Sequence, residues 1–264
     1  MVMKKGENMS ENEEPIQKYP TPKACILVFF VTLILIVTLG SILQVVAFLP
    51  GLYVTEWVLI LGPPLFLLWR KKVNIKETLK LHQVKITHVL LGIGGGLGIF
   101  FISIRTVMVM EDILGPYPAA EFYQAVYPET WLAFIPWILA VAFSAGICEE
   151  VLYRGFIQNG LTNHWGPVKG LIVATIFFTA AHLDPWRTPA VILIGLLAGY
   201  MLIRTQSLYT AIAVHMTANT VSNVLSFTET FPETAGQWQL VLAGSLILVI
   251  IVLVIMEMGR DREP

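Results

Sequence analysis

The greatest chemical capacity in this sequence lies in Glu149 and Glu150, which close an apolar run that begins at Trp131. An ionisable side chain at membrane depth costs ~2.5–3.5 kcal/mol on insertion scales. A pair of them in such a run implies a use. Glu150 and Arg154 are four residues apart, share a helical face and can pair. Glu149 points about 100° round the helix from Glu150, so one carboxylate can brace the site while the other does chemistry. The bland alternative is that both glutamates snorkel from a helix end. Other polar groups interrupt neighbouring apolar runs. His182 ends Phe178-Thr179-Ala180-Ala181-His182, and His215 and Asn219 sit four apart in His215-Met216-Thr217-Ala218-Asn219. A lone membrane histidine is more often a hydrogen-bonded packing residue than a catalyst. Here the histidines, the asparagine and the glutamates lie roughly 10–21 Å from the cytoplasmic ends of their runs, at ~1.5 Å of rise per residue. That is within reach of one cavity.

A glutamate with two histidines supports hydrolysis in two ways. Glu149, His182 and His215 could ligate a divalent metal such as zinc that activates water. Alternatively, Glu149 and one histidine activate water directly while the other histidine and Asn219 hydrogen-bond an oxyanion. Asparagine is an uncommon ligand for transition ions but a good donor. The second scheme uses every group once and requires no cofactor, and it is the preferred reading. There is no H-E-x-x-H and no G-x-S-x-G.

These groups must be held by membrane helices. The chain has 264 residues, 56% hydrophobic and 13% charged, against about 25% charged in soluble domains. This predicts an all-α, polytopic membrane helix bundle with about eight transmembrane helices. A net charge of −1 offers no argument for nucleic acid as a partner. Cys25 and Cys148 lack metal-ligand spacing and read as small buried hydrophobes.

Residues 1–23 are polar and proline-containing and read as a disordered cytoplasmic tail. Residues 24–130 read as N-terminal membrane helices, with apolar runs at 24–50, 53–69 and 89–104. Pro63-Pro64 predicts a kink in the second. Residues 73–88 mix Lys76, Lys80 and Lys85 with apolar residues and predict a helix lying on the membrane surface. The glycines from Gly92 to Gly98 read as helix packing, since Gly92/Gly96 and Gly94/Gly98 are four apart; no strand or polar flank supports phosphate binding. Residues 131–226 form the candidate catalytic core, with spans near 131–160, 168–182, 190–203 and 209–226. Residues 227–264 hold the last span, near 240–256, and a short cytoplasmic tail. With both termini cytoplasmic, that side receives fifteen of the seventeen lysines and arginines, and the outer side only Arg105 and Arg187. This matches the positive-inside rule.

Glu149-Glu150-x-x-x-Arg154, Phe178-x-x-x-His182 and His215-x-x-x-Asn219, in this order, resemble the three motifs of the CPBP family. These are intramembrane proteases related to type II CAAX prenyl endopeptidases and to the Abi bacteriocin-processing or immunity proteins. The resemblance covers about Trp131 to Ser226. It implies a site open to the cytoplasm or the bilayer, and a peptide or protein substrate, a prenylated C-terminus being one option. It implies Glu149 as the base, helped by His182, with His215 and Asn219 on the oxyanion and Glu150 and Arg154 as braces. The family is often labelled metalloprotease, and a metal-free glutamate mechanism is also argued for it. Two alternatives stay open. One is a transporter in which buried glutamate and histidine relay protons or bind a cation. The other is a non-catalytic scaffold or immunity protein of the same fold.

Overall fold

The computed structural model describes residues 19–258. Most of the 1–23 tail, and the final arginines Arg260 and Arg262, lie outside the described residues. Among the described residues every regular element is helical. The long rods are α1 (Pro22–Val46), α2 (Phe48–Arg70), α4 (Ile86–Leu114), α6 (Trp131–Trp165), α8 (Thr188–Thr205) and α10 (Ala235–Met258), each long and apolar enough to cross a membrane. This is the pattern of a multi-pass membrane protein. Two further rods complete the bundle. α7 (Pro167–His182) is apolar but short, and α9 (Leu208–Thr228) carries His215, Asn219 and Asn223 along its length. Each of the eight runs expected to span is helical, but among the described residues only six helices have the length and hydropathy of a span.

Local chemistry sets the helix ends. Thr21 Oγ1 accepts from Ala24 N at 3.2 Å and Pro22 follows at the first helical position, so α1 starts within the segment read as tail. Gly166, with φ +85°, makes the one-residue turn between α6 and α7, a conformation that glycine adopts without strain. α4 runs ten residues beyond the expected 104, because Thr106 to Leu114 lacks glycine and proline and the helix stops only at Gly115.

One expectation needs correction. The segment 73–88, expected as a surface helix, is helical only over α3 (Ile75–Thr78) and from Ile86, where α4 already begins. The rest is an extended strap with left-handed Lys80, held by Leu208 N donating to Lys80 O at 2.9 Å and Ser207 Oγ donating to His82 O at 2.8 Å. These long-range bonds replace the helix ladder. Just before Pro63-Pro64, α2 changes its hydrogen-bond register over Thr55–Ile60, one turn of π-helix, and passes through a turn at Leu61 before the helix resumes at Gly62. α6 carries two such stretches, Leu139–Ser144 just after Pro136 and Val151–Gln158 just after the glutamates. Proline removes a donor from the ladder, and π-turns rotate the following side chains to a new face.

α4 is the axis of the bundle. A Cβ at Gly92 would lie 2.9 Å from Thr210 O, and one at Gly96 would lie 2.5 Å from Val214 O, both on α9. A Cβ at Gly98 would lie 3.0 Å from Ser245 O of α10, while one at Gly94 would have its nearest neighbours 3.7 Å away. The four-residue glycine spacing thus brings α4 against the helix that carries His215. Gly96→Ala is expected to cost about 1–3 kcal/mol, the usual penalty of overpacking, and Gly94→Ala close to nothing. Heating the detergent-solubilised variants and measuring the fraction that stays monodisperse checks this contrast.

Candidate active site

Glu149 and Glu150 lie near the middle of α6, between its two π-turn stretches. Gly146, one turn earlier, lets α6 approach α9; a Cβ there would stand 3.3 Å from Met216 Cα, beside His215. Glu150 and Arg154 are both 0% exposed, with Arg154 Nη1 donating to Glu150 Oε1 at 2.9 Å. The same oxygen accepts from His215 Nδ1 at 2.8 Å. Glu150 therefore joins the arginine on its own helix to the imidazole on α9. The acceptor at Nδ1 turns the other ring nitrogen toward Glu149, with His215 Nε2 at 3.8 Å from Glu149 Oε2. Glu149 Oε2 has no hydrogen-bond partner within the protein.

Phe178 joins these groups. The Arg154 guanidinium lies over its ring, 4.1 Å from the centroid, a cation–π contact that desolvation strengthens. His182 and His215 meet the same ring edge-on, at 4.8 and 5.6 Å. His182 is the last residue of α7, and its Nδ1 lies 2.8 Å from Phe178 O. A carbonyl only accepts, so Nδ1 carries the proton and Nε2 is the acceptor of the neutral ring. On α9, Asn219 Nδ2 donates to Val141 O at 3.0 Å, which occupies one of its two amide hydrogens.

Glu149, Phe178, His182, His215 and Asn219 line one cavity of about 1000 Å³, while Glu150 and Arg154 lie sealed behind its wall. Glu56 of α2 lines it as well. It is 3% exposed and its Oε2 has no partner within the protein. Sequence reasoning missed it, although a carboxylate inside an apolar run was the very signal that marked Glu149. The metal reading meets a difficulty in this geometry. Among the described residues no three histidine, cysteine, aspartate or glutamate side chains converge closely enough to hold one ion.

A polar cluster lines the far end of the cavity. Tyr117 OH donates to Asp184 Oδ2 at 2.8 Å, Arg187 Nε donates to the same oxygen at 2.6 Å, and Trp186 Nε1 donates to Gly115 O at 2.8 Å. Burial pushes the Asp184 carboxyl up, but the Tyr117 hydroxyl and the Arg187 guanidinium outweigh it and hold the group below its ordinary value. A depressed folded-state pKa contributes stability above the unfolded value and loses it as pH falls through the folded one. Amide exchange in 115–130 is therefore expected to stay slow down to the ordinary carboxylate range and to accelerate only in stronger acid. In Asp184→Asn it is expected to be fast at every pH.

Residues 131–221 match the family model "Type II CAAX prenyl endopeptidase Rce1-like". This segment is an Rce1-like domain of the CPBP family. The family is one of intramembrane proteases. The Rce1-like domain begins with α6 and ends within α9, so it contains both glutamates, both cavity histidines and Asn219. Glu56, on α2, lies outside it. No curated protein and no solved structure matches the chain.

Proposed function

We propose that the protein is an intramembrane endopeptidase that hydrolyses a peptide bond of a membrane-associated polypeptide with a water activated by Glu149. The observation that carries this reading is the convergence of Glu149, His182, His215 and Asn219 on one cavity, with the Glu150–Arg154 pair buried behind it. The Glu149 carboxylate takes a proton from water as the water oxygen attacks the scissile carbonyl carbon. His182 Nε2 accepts from the same water and orients it. The carbonyl becomes a tetrahedral oxyanion, which receives hydrogen bonds from His215 Nε2 and from the free amide hydrogen of Asn219. Glu150 fixes the His215 ring through Nδ1 and compensates the ring's charge when Nε2 also carries a proton. The proton held by Glu149 then passes to the departing nitrogen, the C–N bond breaks, and an amine and a carboxylate remain. No step runs through a metal, because the donor set does not converge on one ion.

The test uses the purified chain in liposomes containing membrane proteins of its source cell, with cleavage products read by mass spectrometry. Cleavage that survives chelation, in protein without stoichiometric metal, is expected. One zinc per chain, with activity lost on chelation and restored by zinc, would overturn the metal-free mechanism. Cation flux without any cleavage would replace the protease with a transporter.

A further inference from the structure

The two ends of the bundle differ in chemistry and in access. One end holds the 71–85 strap, the Gly166 turn and the α8–α9 turn. It is tied together by the Lys80–Gln206 contact, by the strap's bonds to Ser207 and Leu208, and by Asn159 Nδ2 donating to Thr78 O at 3.3 Å. It is also plugged, since Tyr153, Phe156, Leu161 and Leu208 are at most 2% exposed. Among the described residues most of the positive charge belongs to this end, including Arg70, Lys71, Lys72, Lys76, Lys80, Lys85 and Lys169. Arg154 does not count toward it, being buried in the core.

The active-site cavity runs to the opposite end. Its outer lining is Tyr117, Tyr123, Tyr127, Glu129, Arg187 and Glu229, all from the 115–130, 183–187 and 229–234 connections or the short helix α5 (Ala120–Val126) within the first. His182 ends its helix at this same face. Positive charge marks the cytoplasmic side of membrane proteins. We infer that the cavity opens to the non-cytoplasmic face and that the substrate is a polypeptide segment presented there, not a prenylated cytoplasmic C-terminus.

This inference rests on the protease reading for the word substrate, but its geometry is testable without activity. Single cysteines are introduced at the mouth (Gln124→Cys), deeper in the cavity one turn from Asn219 (Ser222→Cys) and on the basic strap (Lys76→Cys). The parent chain serves as control, because its own Cys25 and Cys148 are both buried. Intact cells are exposed to a small, membrane-impermeant sulfonated maleimide. Gln124→Cys and Ser222→Cys are expected to label in intact cells, and Lys76→Cys only after permeabilisation. Labelling of Lys76→Cys in intact cells overturns the orientation. Ser222→Cys silent in intact cells but labelled in inverted vesicles overturns access from the outer face. Absence of proteolysis would remove the protease reading and leave these labelling outcomes unchanged.

Discussion

Arg154→Ala is expected to cost about 3–5 kcal/mol of stability, the range found when one partner of a buried ion pair is removed. The guanidinium is fully buried. It donates to Glu150 and stacks on Phe178, so truncation removes the ion pair and the cation–π contact together. It also leaves Glu150 holding His215 with no compensating cation on its own helix. Folded protein recovered in mild detergent should fall severalfold, and the remainder should aggregate at lower temperature in size-exclusion chromatography. Arg154→Lys should recover part of the loss, because an ammonium restores the charge but not the planar stacking surface. Glu149→Gln is the control, since Glu149 Oε2 bonds to no other residue. Equal losses of folded protein in Arg154→Ala and Glu149→Gln would sink the assignment of Glu150–Arg154 to support.

How far this arrangement was readable from the sequence depended on contrast. Glu149, Glu150, His182, His215 and Asn219 stood out because polar groups are rare inside apolar runs, and the four-residue spacing of Glu150 to Arg154 gave their pairing. Glu56 offered the same contrast but stood near the expected start of its run, at about Tyr53, where a carboxylate reads as a helix-end residue. The helix begins instead at Phe48, which places Glu56 eight residues inside. That shift comes from the single extended residue Ala47, the whole break between α1 and α2; Pro50 and Gly51, which read as the end of the first run, lie instead in the first turn of α2. The link from Glu150 to His215 was not readable, because spacing along one helix says nothing of what another brings to it. The same holds for the bond of Tyr117 to the Asp184–Arg187 pair, which joins two separate connections. The strap at 71–85 misled for a related reason. Its alternating apolar and lysine residues fit a surface helix, yet its backbone bonds go to the α8–α9 turn, which only the folded bundle supplies.

Glu149→Gln is expected to lower turnover by about 10²–10⁴, the usual contribution of a positioned general base, with the folded amount near that of the parent chain. The amide keeps the shape of the side chain but cannot take a proton from water. The loss should appear in kcat, with KM little changed, because the group acts on water and not on substrate binding. Asn219→Ala should show a smaller loss of about 10²–10³, the range for one oxyanion donor, again mostly in kcat. Its structural part is separable, since it also gives up the bond to Val141 O. Asn219→Asp keeps an acceptor-sized side chain but places a carboxylate beside the developing oxyanion, and should be at least as inactive as Asn219→Ala. If Asn219 served only to tie α9 to α6, the alanine variant would lose thermal stability and activity in parallel, and activity per folded molecule would stay near normal. Single-turnover cleavage in detergent, normalised to monodisperse protein, separates the two cases. A Glu149→Gln protein with unchanged single-turnover rate would remove Glu149 as the base.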